Sequence, residues 1–222
     1  MPILPPLHPA FGPCSQQQAT PMSHLDQYFD RAGQEQLVRK VVGVLAGAPL
    51  FTPVMPRTGK PFSVTMSNCG PLGWVSDKER GYRYQAAHPD TRAQWPSIPK
   101  MLLDLWDEVA GYPAPPQACL INVYGPGAKM GLHRDEDEED FSAPVVSVSL
   151  GDTARFRIGG MARKDPTRAF DLKSGDVLIL GGDTRLAYHG VDRIKPGTSD
   201  LLVSEFPEAR RINLTLRRVT AS

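Results

Sequence analysis

From residue 118 onward the chain is cut into short β-prone segments separated by glycine turns, and this segmentation limits the possible folds more than any other feature. Residues 118–124, 145–150, 154–158, 177–180 and 211–218 read as strands. Gly125-Pro126-Gly127, Gly159-Gly160 and Ser174-Gly175-Asp176 supply turns between them. Upstream, apolar residues recur at helical spacing over 33–46 (Leu37, Val38, Val41, Val42, Leu45) and over 98–110 (Met101, Leu102, Leu105, Trp106, Val109). Pro96 and Pro99 mark the start of the second helix and Gly111 its end. Two helices followed by many short strands predict an α+β chain whose core is an antiparallel sandwich or barrel.

At 222 residues the chain fits one domain, expected over 21–222, behind an extended or disordered arm over 1–20 rich in proline and glutamine. Residues 51–95, between the helices, hold short alternating segments and four exposed-looking aromatics: Trp74, Tyr82, Tyr84 and Trp95. The net charge of +1 creates no global basic field, so any polymer partner must be held by a local patch. Three cysteines without a CxxC pair argue against a disulfide framework or a zinc ribbon and suit a reducing cytoplasm. The first basic residue is Arg31, and no apolar run approaches the ~20 residues of a membrane span. The expectation is a soluble, cytoplasmic protein with no membrane contact.

His133-Arg134-Asp135 places two ligand-type side chains on the same side of an extended segment. A third ligand must come from elsewhere. Of the five histidines, His189 follows an apparent strand over 186–188, well placed at the mouth of a sheet. Together His133, Asp135 and His189 would form a two-histidine, one-carboxylate set that leaves one face of an octahedral iron(II) open. HxD by itself is equally what a solvated surface loop displays.

The last strand carries more information. In Arg211-Ile212-Asn213-Leu214-Thr215-Leu216-Arg217 the apolar residues share one parity and the polar residues the other. A half-buried strand would put its polar side in water. If the polar side instead faces a barrel interior, two buried guanidiniums need anionic partners. A dicarboxylate supplies both, because the planar fork of arginine takes a carboxylate in bidentate fashion. Alternatively one arginine serves the ligand and the other Asp135.

Taken with Asn122-Val123-Tyr124, Ser67-Asn68-Cys69-Gly70-Pro71-Leu72-Gly73-Trp74 and Tyr188-His189-Gly190, these motifs resemble the AlkB family over roughly residues 35–218. The resemblance implies a double-stranded β-helix (jelly-roll) core flanked by the N-terminal helices, with 51–95 as a nucleotide-recognition lid. It implies iron(II) on His133, Asp135 and His189, which are also the catalytic residues. It implies 2-oxoglutarate on Asn122, Tyr124, Arg211, Asn213 and Arg217, with O2 as second co-substrate. The implied reaction oxidises N-alkyl groups of bases such as 1-methyladenine and 3-methylcytosine, releasing formaldehyde, succinate and CO2. It is a DNA-repair demethylation in which the cofactor carries the hard chemistry and the protein orients it.

The family's substrates give the remaining candidates. Asp137 would meet the exocyclic amine of a flipped cationic base, whereas Glu136, Glu138, Glu139 and Asp140 read as a solvated acidic run. Trp74 and Tyr82 match lid positions, with Trp74 either stacking on the base or filling the lid core. Tyr82 and Arg163 would approach the phosphate backbone, and Met66 would line the pocket. Arg57, Lys60, Lys78, Arg80, Arg83 and Arg163 would supply local positive surface. Single-stranded DNA is the expected partner, with RNA as the alternative polymer, and the protein is expected to act as a monomer. Leu180 stands where close relatives carry tryptophan, so that side of the pocket would be roomier. Two other readings are an oxygenase acting on RNA, protein or a small molecule, and a jelly-roll binding protein without metal chemistry.

Overall fold

The computed structural model describes residues 22–221, so the arm expected over 1–20 lies outside the described residues. In chain order the elements are β1 (Ser23–Leu25), α1 (Arg31–Gly47), β2 (Val64–Cys69), β3 (Gly73–Asp77), β4 (Gly81–Gln85) and α2 (Lys100–Val109). Then follow β5 (Ala118–Tyr124), β6 (Met130–His133), β7 (Val145–Gly151), β8 (Ala154–Ile158), β9 (Arg168–Leu172), β10 (Val177–Leu180), β11 (His189–Ile194) and β12 (Arg211–Arg217). One sheet runs β1-β10-β7-β12-β5-β2, a second runs β6-β11-β8-β9, and β3 pairs with β4 as a separate hairpin. From β5 to β8 the chain crosses between the two large sheets at every strand, and from β9 to β12 it does so again. That winding is the expected jelly roll.

Residue alternation along the larger sheet explains why it sits between two layers. Every residue of β5, β10 and β12 is buried, so both faces are covered. One face carries Ile121, Val148, Ile212, Leu214 and Leu216, which pack with Leu37 and Val38 of α1 and Leu102 and Trp106 of α2. Asp30 caps α1 by accepting from the Gly33 amide at 2.8 Å, satisfying one of the orphan donors of the first turn. Truncating Leu214, 1% exposed, to alanine would cost about 2–5 kcal/mol. The opposite face carries Leu120, Val145 and Leu178, which meet Phe156, Ile158 and Val191 of the smaller sheet. The polar parity of β12 therefore points between the sheets and not into water.

Two expectations fail. Residues 186–188 are not a strand. The bonds Thr184 N–H to Gly181 O (3.0 Å), Arg185 N–H to Gly182 O (3.1 Å) and Ala187 N–H to Thr184 O (3.1 Å) wind the chain through a 3₁₀ turn, and strand β11 begins only at His189. Trp74 and Trp95 are not exposed: both are buried, and Trp95 Nε1–H donates to the Gln85 carbonyl at 2.9 Å. Tyr82 alone of the four is well exposed, at 48%, and Tyr84 is half-buried.

Candidate active site

A cavity of about 460 Å³ opens between the two sheets, and its wall includes His133, Asp135 and His189. His189 lies opposite His133 in the β11–β6 register, with ring centroids 4.5 Å apart. Gly190 permits this approach: a Cβ there would sit 2.6 Å from the Met130 carbonyl oxygen. One ligand-type atom from each of His133, Asp135 and His189 lies within 4.8 Å of the others. Each histidine Nδ1 sits 2.9 Å from a backbone carbonyl, Gly131 O for His133 and Ala187 O for His189. A carbonyl can only accept, so both rings carry their proton on Nδ1 and turn an Nε2 lone pair toward Asp135. Each Nε2 is 3.8 Å from an Asp135 oxygen, a separation that leaves space for an ion among the three groups.

The electrostatics favour a cation. Burial, and then the neighbouring His133, push His189 down to about 4, which keeps it a neutral ligand near pH 7. Burial opposes the charge on Asp135, but Arg217, followed by the two histidines, holds the carboxyl well below its usual range. Arg217 Nη2 forms an ion pair with Asp135 Oδ1 at 2.8 Å.

Among the described residues four buried side-chain polar atoms have no hydrogen-bond partner: Asn122 Oδ1, Arg211 Nε and Nη1, and Arg217 Nε. All four belong to residues expected to hold a diacid, and orphaned buried donors are costly. Arg211 is 1% exposed, and its one bond is Nη2–H to Ser149 Oγ at 2.8 Å. Burial pulls its guanidinium down to about 10. A diacid with one carboxylate at each arginine would satisfy the open N–H groups, so the residues present fit 2-oxoglutarate. Asn122, Tyr124, Asn213 and Arg217 line the cavity, whereas the buried Arg211 does not. The Asn213 amide already donates to Ser147 Oγ (2.7 Å) and the Val148 carbonyl (3.1 Å), so its side chain is fixed in place. Burial pushes the Tyr124 hydroxyl up to about 12.

The mouth of the cavity brings together the remaining candidates. Met66, Trp74, Tyr82, Asp137 and Arg163 all line it. Trp74 stacks on Tyr82 at 5.4 Å across the hairpin, and its Nε1–H donates to Asp137 Oδ2 at 2.7 Å. Burial raises the Asp137 carboxyl, partly offset by the Trp74 bond. Arg163 donates to the Leu132 carbonyl at 2.8 Å and lies over Tyr188 at 5.9 Å. Leu180 faces the cavity and is buried. The basic surface is smaller than expected, because Arg83 and Arg80 both pair with Asp77, at 2.6 and 3.8 Å.

The acidic run holds one clear correction. Glu138 is 5% exposed, not solvated, and joins a buried network. It accepts from Arg185 Nη2 and Arg217 Nη1, each at 3.1 Å, and from the Tyr84 hydroxyl. Each nitrogen of Arg185 has a partner: Nη1 reaches Asp135 O (2.8 Å) and Nε reaches Ala143 O (2.9 Å). Arg185, Tyr84 and Tyr188 were not singled out from the sequence as site residues. No local pattern marks them, since their partners lie tens of residues away.

The chain matches the 2OG-Fe(II) oxygenase superfamily over residues 21–217. It is 53% identical to the alpha-ketoglutarate-dependent dioxygenase AlkB homolog of Caulobacter vibrioides, covering 86% of this chain and 84% of that one. It is 44% identical to the alpha-ketoglutarate-dependent dioxygenase AlkB of Escherichia coli K12, covering 83% and 84%. The solved structure of OsALKBH1 superposes with a TM-score of 0.74 at 34% identity, covering 91% of this chain and 99% of that one.

Proposed function

Because this chain belongs to the AlkB dioxygenases of the 2OG-Fe(II) oxygenase superfamily, we propose that it removes alkyl groups from N-alkylated nucleic-acid bases by oxidising them. The enzyme is an iron(II)- and 2-oxoglutarate-dependent dioxygenase. In this reading His133, Asp135 and His189 hold the iron. Arg211 and Arg217, with Asn122, Tyr124 and Asn213, hold 2-oxoglutarate. The bound metal and co-substrate supply the oxidant drawn from O2, and the protein orients the base and excludes water. The observation that carries the reading is the coincidence of three converging ligand atoms with four unpartnered buried polar atoms on the diacid residues.

The base would enter past Tyr82, Trp74 and Asp137, with residues 51–95 acting as the lid. Arg163 would take a backbone phosphate. The cavity lies between two sheets of one domain, so a base must leave any stack to reach it. Unstacking costs a few kcal/mol in a duplex, so single-stranded DNA is the preferred partner, with RNA as the second polymer. The chain supplies the whole ligand set itself, which supports action as a monomer. No helix among the described residues is long and apolar enough to cross a membrane, and a reducing cytoplasm suits the free thiols of Cys69 and Cys119. Formaldehyde release from 1-methyladenine and 3-methylcytosine oligonucleotides tests the proposal, run on DNA and RNA, single- and double-stranded, with and without 2-oxoglutarate. Turnover is expected on single strands only when 2-oxoglutarate is present. Formaldehyde release independent of 2-oxoglutarate, or none on any substrate, would overturn it.

A further inference from the structure

Glu138 is buried, charged and outside both expected ligand sets. Its surroundings form a closed electrostatic unit. Two carboxylates, Asp135 and Glu138, meet two guanidiniums, Arg185 and Arg217. All four residues are below 9% exposed, so solvent and salt screen them little. Arg217 spans both acids, with Nη2 on Asp135 at 2.8 Å and Nη1 on Glu138 at 3.1 Å. Arg185 pairs with the Glu138 carboxylate at 3.1 Å and touches Asp135 only at its backbone carbonyl, at 2.8 Å. Tyr84, on the hairpin strand β4, donates to Glu138 and lies 3.1 Å from Arg217 Nη1.

We propose that Glu138 is a positioning residue: it offsets one of the two guanidinium charges beside Asp135, so that more of the Asp135 charge remains available to a divalent cation. The assignment rests on the reading of His133, Asp135 and His189 as the metal ligands. With the Glu138 charge removed, Arg217 keeps Asp135 as its one carboxylate partner and Arg185 is left without one, so an incoming cation must compete with Arg217 in a more positive field. The local field also becomes more positive by one charge, which favours a dianion. Metal and co-substrate therefore respond to this residue in opposite directions. A residue that only held the loop in shape would weaken both.

The test is titration of the metal-stripped full chain with Mn(II), then with 2-oxoglutarate at saturating Mn(II), by calorimetry. Glu138→Gln keeps the shape and removes the charge. It should weaken Mn(II) binding by about tenfold, as loss of groups that support metal ligands does. Its 2-oxoglutarate affinity should be unchanged or tighter, and Glu138→Asp should recover part of the Mn(II) loss. Tyr84→Phe, which removes only a neutral donor, should weaken Mn(II) in the same direction by roughly twofold. An unchanged Mn(II) affinity in Glu138→Gln overturns the assignment, and so does a parallel fall in both affinities. A wild type that binds Mn(II) no better than Asp135→Ala would overturn the ligand reading itself, and this assignment with it.

Discussion

The two ends of strand β12 carry the same side chain in opposite circumstances. Arg217 reaches Asp135, Glu138 and the Tyr84 hydroxyl, leaving only its Nε unpaired. Arg211, six residues earlier on the same face, has Ser149 alone and leaves both Nε and Nη1 open. A buried guanidinium with its counter-charges in place is part of the folded architecture. One without them is a receptor kept at the expense of stability, and the missing anion identifies its ligand class. In the proposed reading the contrast divides the work that the sequence left open: Arg217 would serve Asp135 and the co-substrate together, and Arg211 the co-substrate.

The comparison can be broken in order of effect. His189→Ala should reduce formaldehyde release to background while circular dichroism still reports a folded chain, because it removes a proposed metal ligand and creates no buried charge. A His189→Ala protein retaining a tenth of wild-type product would remove the site on which both arginines converge. Arg217→Met should then lower unfolding free energy by about 3–5 kcal/mol in urea, since Asp135 and Glu138 lose their shared cation. Arg211→Met should do the reverse to stability: the protein without ligand should melt no lower than wild type, as an unpaired buried charge is gone. Its cost should appear in 2-oxoglutarate binding, about 1.5–3 kcal/mol per lost charge-assisted bond, or ten- to a hundredfold in Kd. Equal destabilisation by the two substitutions would erase the distinction. The smallest effect belongs to the mouth: Asp137→Ala should shift preference among methylated bases by about tenfold and leave 2-oxoglutarate turnover without substrate intact. Equal loss of both activities would refute that role and move Asp137 to the metal side.

Much of this was legible in advance because it is written in short-range periodicity. The alternation in β12 separates Ile212, Leu214 and Leu216 from Arg211, Asn213, Thr215 and Arg217, and the structure buries the two sets on opposite faces of one sheet. The helices differ from their expected limits by two residues or fewer at each end, and β5, β8 and β10 match theirs. Glu138 was misjudged for the opposite reason. It sits among Glu136, Asp137, Glu139 and Asp140, and nothing in that run distinguishes it. Its burial is decided by Arg185, 47 positions away, and Arg217, 79 away. The supposed strand at 186–188 failed similarly, because three apolar or aromatic residues satisfy strand propensity as well in a turn.

By itself the sequence determined which residue types this protein could bring to a metal and a diacid, and on which parity of which strand they would stand. It did so because strand periodicity is a local property of the backbone. The tertiary structure alone decided which charges meet: that Arg217 arrives neutralised and Arg211 does not, and that one acid of a uniform run lies buried on the guanidinium it shares with Asp135. Coulombic pairing depends on distance in space, and distances between residues 84, 138, 185 and 217 exist only once the sheets have closed.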